Sequence, residues 1–252
     1  MKIHHAVLGL IVALMGTSVL AENRMAFPVP VEKASRQISV TVTPGLRKTN
    51  GLPTSSLRQA RRDMLAKKVV SDENLRALAN RGDSLAAQKY MRLLVERHRG
   101  QPRSASDIAY YGAIAVGAGR VWSLPDMVEA LYFLDAETEP KDRIKKYVSV
   151  LYPHAWAGNK LALDAVVDFN GQGRLFGNLS ETTRKRILAQ SEKNGGGRAE
   201  LRMAINLMQN PNRSEQETEW AREYLKLAMM ADNLVIKTAA SNLLPLLDAS
   251  GT

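Results

Sequence analysis

Three short stretches decide how this chain folds: Gly82-Asp-Ser-Leu-Ala-Ala-Gln-Lys-Tyr90, Gly158-Asn-Lys-Leu-Ala-Leu-Asp-Ala-Val166 and Ala231-Asp-Asn-Leu-Val-Ile-Lys-Thr-Ala239. Each pairs a small residue that ends one helix with an Asp or Asn that starts the next. Adding Gly119 and Gly196 gives five junctions, spaced 37, 39, 38 and 35 residues apart. A period near 37 is the length of two helices and their turns. One such unit cannot bury its apolar stripe alone, so stacked neighbours must supply the core.

The intervening sequence has helical period. Ala86, Tyr90, Leu93 and Leu94 share one stripe, as do Leu201, Ala204, Ile205 and Met208, and Trp220, Tyr224, Leu227, Ala228 and Ala231. Ser123-Leu-Pro-Asp126 and Ser214-Glu-Gln-Glu217 have the spacing of capping boxes. After Leu57 no strand candidate competes, which predicts an all-α solenoid of helix pairs over 57–252.

Before it lie two other segments. Met1-Lys2, an uncharged run from Ala6 to Val19 and the small-residue exit Val19-Leu20-Ala21 have the parts of a cleavable signal peptide over 1–21, with cleavage after Ala21. Without cysteine the N-terminus is not a lipoprotein, and disulfides, thiolate metal sites and thiol nucleophiles are excluded. Pro28, Pro30, Pro44 and Pro53 discourage helix across 22–56. Gln37-Ile-Ser-Val-Thr-Val-Thr43 alternates like a strand but has no local pairing partner. The segment is expected to be an extended or disordered arm, ordered on a partner.

Charge sharpens this division. The 252 residues carry a formal charge of +10. Residues 22–103 hold 17 basic and 7 acidic side chains, whereas 104–252 hold 17 and 18. Arg58, Arg61, Arg62, Lys67 and Lys68, followed by Lys89, Arg92 and Arg99, therefore form a candidate cationic binding surface for an acidic protein or an anionic polysaccharide. Nucleic acid is disfavoured by the export signal and by the lack of aromatics between Phe27 and Tyr90.

Catalytic chemistry finds little footing. His98 and His154 have no ligand-spaced partners, so no metal site is expected. Asp164 and Asp168 share a helix face at i, i+4 and are the only candidate acid pair. The glycine loops 170–173 and 195–197 follow no strand and lack a following Lys-Ser/Thr, so they read as helix caps and turns. The sequons at Asn178 and Asn212 fall at helix starts. The expectation is a protein without catalytic centre, cofactor or metal.

These features together resemble the Sel1-like repeats, relatives of the tetratricopeptide repeat. Ala109–Val121, with Gly112, Gly117 and Gly119, is similar to their first helix and glycine turn, and Met127–Tyr132 to their second helix. Leu161–Phe169 with Gly171 and Gly173 resembles another first half, and Ala199–Met208 with Trp220–Ala231 a further pair. Gly82, Ala86, Gly158, Ala162 and Ala231 would be further repeat-defining positions. The resemblance spans about residues 77–247 and implies a protein–protein scaffold or adaptor. For an exported, periplasmic or secreted member it implies a place in exopolysaccharide export or envelope signalling. Two other readings stand beside it: a periplasmic binder or modifier of an acidic polysaccharide, and a secreted effector that engages a host protein.

Overall fold

The computed structural model describes residues 37–98 and 101–249. The expected signal peptide lies outside these residues. Among the described residues no helix is long and apolar enough to cross a membrane.

Among the described residues eleven α-helices follow one another: α1 (Ser55–Leu65), α2 (Asp72–Asn80), α3 (Ser84–His98), α4 (Pro102–Gly117), α5 (Leu124–Leu131), α6 (Lys141–Trp156), α7 (Lys160–Phe169), α8 (Glu181–Lys193), α9 (Arg198–Met208), α10 (Glu215–Met229) and α11 (Leu234–Ala249). Their packing alternates between two rows. In the first, α5 packs on α7, α7 on α9 and α9 on α11; in the second, α4 packs on α6 and α6 on α8. Across the rows α3 packs on α4, α4 on α5, α6 on α7, α8 on α9, and α10 on both α9 and α11. The fold is an all-α helical repeat solenoid.

Four of the five junctions open the first-row helices α5, α7, α9 and α11, and the first, at Gly82, opens α3, which packs on α4. Gly82, Gly119 and Gly158 adopt φ of +82°, +90° and +101°, where a β-carbon would be strained. Asp83 then caps α3, its Oδ1 accepting from the Leu85 and Ala86 N–H groups at 3.0 and 2.9 Å. Asn159 caps α7 by accepting from the Ala162 N–H at 3.1 Å. At the last junction the cap moves one residue on, from Asp232 to Asn233, which accepts from Val235 and Ile236.

This register places α4, residues 102–117, in the second row as the partner of α3. The stretch 109–121 that resembles a first helix therefore belongs mostly to a second-row helix, while 161–169 forms first-row α7. The extra helix is α2, which packs on α3 ahead of the first complete pair. Gly112 matters here for closeness of approach. A β-carbon on it would stand 2.8 Å from Met127 Cβ, so α4 and α5 touch at a point that admits only hydrogen.

The core runs the length of the two rows. Leu78, Ala86, Met91, Met127, Leu151, Ala162, Ala204 and Leu225 are all buried within it. Each fully buried Leu or Met adds roughly 1.5–3 kcal/mol. Tyr147, also buried, donates to Glu139 Oε1 at 2.7 Å, and Ser106 donates to the same oxygen at 2.9 Å, so a buried carboxylate ties α4 to α6.

Two local expectations are corrected. Ser123 and Asp126 do not form a capping box: Ser123 already has αR geometry at the end of a 3₁₀ turn, Val121–Ser123, and its side chain makes no cap bond. A cap residue needs extended φ/ψ to aim its oxygen at the first free N–H groups, and the preceding turn removes that. Ser214 and Glu217 do form the box in both directions. On α10, Leu227 faces solvent while Ala221 and Leu225 are buried beside Tyr224 and Ala228, because α10 is covered from both α9 and α11.

Candidate binding surface

The alternating stretch 37–43 finds its partner within the chain. Residues 38–46 cross the turns that open α7, α5 and α3, in that order, opposite to the order of the repeats. Asn159 Nδ2 donates to the Ile38 carbonyl at 2.9 Å. Ser39 Oγ donates to the Gly119 carbonyl at 2.9 Å, and Thr41 forms an isolated antiparallel bridge with Ala118. The Val42 and Thr43 N–H groups both donate to the Gly117 carbonyl, at 2.7 and 2.9 Å. Leu46 N–H donates to the Gly82 carbonyl at 2.9 Å. The arm thus touches three successive junctions, and its partner is the solenoid itself.

Two cap residues have a second task in this arrangement. Asn159 caps α7 through its oxygen and holds the arm through its nitrogen. Asp83 caps α3 through Oδ1 and pairs through Oδ2 with Arg61 Nε at 2.7 Å. Arg61 in turn donates to the Leu46 carbonyl at 2.9 Å and to Thr49 Oγ1 at 2.6 Å. One guanidinium fork therefore joins α1, the arm and the first junction.

His154 completes the contact. It is fully buried near the end of α6; its Nδ1 lies 2.9 Å from the Val150 carbonyl, and its Nε2 accepts from the Val40 N–H at 3.2 Å. These partners require the neutral ring with its proton on Nδ1. Burial holds its pKa below the ordinary histidine value, against a smaller opposing effect of the Val150 carbonyl.

The candidate cationic surface divides in this structure. Arg58 donates to the Leu52 carbonyl at 2.7 Å, so together with Arg61 it serves the chain's own fold. Lys67 closes α1 in left-handed conformation at φ +60°, and Lys68 lies 3.5 Å from Asp63. Arg62, which donates to Gln59, is exposed, as are Lys89 and Arg92 on α3. Arg99 lies outside the described residues.

Asp164 and Asp168 meet two arginines at the same spacing on α9. Arg198 grips Asp164 through Nε at 3.1 and 2.9 Å and through Nη2 at 2.7 Å. Arg202 pairs with Asp168, which Tyr132 also contacts, and lies 3.7 Å from Asp164. The acids form a ladder between α7 and α9. In this geometry they are occupied as carboxylate anchors. Gly171 and Gly173 lie in the loop from α7 to α8, which closes on itself where Gly171 N–H donates to the Gly177 carbonyl at 2.8 Å. Ala162 and Ala231 are buried at their junctions.

His154, Arg61, Asp83 and Asn159 as holders of the arm had no signal in spacing, except that Asp83 and Asn159 stand at the same place in the repeat. Together the fold and this surface define a two-row helical repeat protein with its own extended segment bound along the inter-repeat turns. Set against family models, curated proteins and solved structures, the chain matches none of them.

Proposed function

We propose that this chain is an exported, Sel1-like repeat scaffold or adaptor of the cell envelope that binds extended segments of other proteins and performs no catalysis itself. The observation that supports it is the docking of residues 38–46 on three successive junctions through hydrogen bonds of their main chain. A surface that engages main-chain N–H and C=O groups recognises extended polypeptide with little regard for its side chains. Many modest contacts spread along a row of repeats suit a scaffold. The signal-like N-terminus supports a role outside the cytoplasm, and the Sel1-like resemblance a role in an exopolysaccharide or signalling assembly. Exposed Arg62, Lys89 and Arg92 would steer an acidic partner.

The test is site-specific photocrosslinking in cells, with the probe at Ser39, at Thr41 or at Lys193 on the far α8. The reading expects a mature chain beginning near Glu22 in the envelope fraction, with discrete protein adducts from Ser39 and Thr41 and none from Lys193. Retention of the full-length chain in the cytoplasm, or equal adducts from all three positions, would refute it.

A further inference from the structure

Away from the arm, the loop 170–180, α9 and the start of α10 enclose an open cleft of about 690 Å³. That volume lies within the range of about 300–1,000 Å³ typical of small-molecule sites. The sequence contained no pointer to it, because its walls come from α7, α8, α9, α10 and the loops between them.

The lining has a definite chemistry. Gln172, Asn178 and Gln209 reach the cleft, and their side-chain amides make no hydrogen bond among the described residues. Half-buried Trp220 supplies aromatic surface, backed by the buried Tyr224, whose hydroxyl accepts from Arg184 at 3.3 Å. The charged groups of the lining, Glu181, Arg184, Glu217 and Arg174, all have partners within the protein. Glu181 lies 2.5 Å from Arg184, whose guanidinium also sits 4.6 Å from the centre of the Trp220 ring. Glu217 is held in its capping box by Ser214. An ionic ligand would find its counter-charges already paired, and exchanging them carries a desolvation cost. A primary amide offers a donor and an acceptor side by side, and a hydroxyl group can satisfy either. An aromatic wall adds apolar contact with the C–H face of a ring.

We propose that this cleft is a binding site for an uncharged, hydroxyl-rich ligand, a short neutral oligosaccharide. Gln172, Asn178 and Gln209 would hydrogen-bond its hydroxyls while Trp220 packs against a sugar ring. The site is separate from the junction surface that carries the arm, so a chain that binds protein along its turns would hold a glycan at its C-terminal end.

The experiment titrates the full chain with maltotetraose, cellotetraose and the neutral tetramer of N-acetylglucosamine. Tetragalacturonate and a tetra-alanine peptide serve as acidic and peptide controls. Calorimetry gives affinity, and the side-chain amide signals in nitrogen–proton correlation spectra give location. Saturable binding of at least one neutral tetramer is expected, with shifts of the Gln172, Asn178 and Gln209 amides. The Gln172→Ala/Asn178→Ala variant, altered at two exposed positions, should bind about tenfold more weakly. The proposal is overturned if no neutral tetramer binds, if only tetragalacturonate or the peptide binds, or if the double variant binds as the parent does.

Discussion

The Val40 N–H donates to Nε2 of His154 across a sequence separation of 114 residues, joining the N-terminal arm to a ring buried in the second helix row. This bond exists only while the ring is neutral. Protonation would turn Nε2 from acceptor to donor and set it against the Val40 N–H inside the protein.

The first prediction concerns pH. His154 has a lowered pKa in the folded state because of burial, so below its ordinary value of 6.5 the unfolded chain binds more protons than the folded one. Stability is therefore complete above that pH and falls as pH drops from it toward the depressed folded pKa. Thermal melts at pH 7.5, 6.5 and 5.5 should show a declining Tm in the parent chain and a smaller decline in His154→Gln. Parallel declines in the two proteins would assign the effect elsewhere.

Arginines of one cluster should behave in opposite ways. Arg61→Ala leaves the buried Asp83 carboxylate unpaired and releases Leu46 and Thr49, which should cost roughly 3 kcal/mol in urea unfolding. Arg62→Ala, one residue on and exposed, should stay within about 0.5 kcal/mol of the parent. Arg61→Lys keeps the charge and loses the fork, so it should fall between them.

The two serines of the expected capping boxes make a matched pair. Ser214→Ala removes a cap that accepts from the Glu217 N–H at 3.2 Å and should cost about 1 kcal/mol. Ser123→Ala deletes a buried hydroxyl that has no hydrogen-bond partner among the described residues, so it should be neutral or mildly stabilising. Chemical denaturation of the two variants side by side separates these outcomes.

Asp164 and Arg198 should prove coupled. Arg198→Ala leaves Asp164 with Arg202 at 3.7 Å, and Asp164→Ala removes the carboxylate that Arg198 grips at 2.7 Å between α7 and α9. A double-mutant cycle should return an interaction of about 1–3 kcal/mol. Additive losses would mean that the pair merely coexists on adjoining helices.

How far the sequence could be read follows from how local each signal is. The left-handed glycines and their Asp or Asn caps act within a few residues, so Gly82-Asp83 and Gly158-Asn159 announced both the helix starts and the repeat. The stripe on α10 was half right because its burial comes from two neighbouring helices, whose positions no period encodes. Ser123 was misleading because a cap depends on extended backbone at that residue, and the 3₁₀ turn before it prevents this. The cationic cluster looked uniform in sequence. Arg58 and Arg61 became internal ties because carbonyls of the arm and the Asp83 carboxylate lie within reach.

From the chain alone came the all-α class, the 37-residue period, the glycine junctions that open α3 and α7 and the concentration of positive charge near the N-terminus. All of these depend on backbone preferences and side-chain spacing along a single helix or turn. Tertiary structure alone decided where the arm goes, why His154 is buried, what Asp164 and Asp168 hold, and that a cleft opens beside α9 and α10. Those outcomes depend on groups dozens of residues apart meeting in space. The same stacking that buries the apolar stripes brings the junctions into one line, and a line of carbonyls and cap amides is what an extended segment can bind.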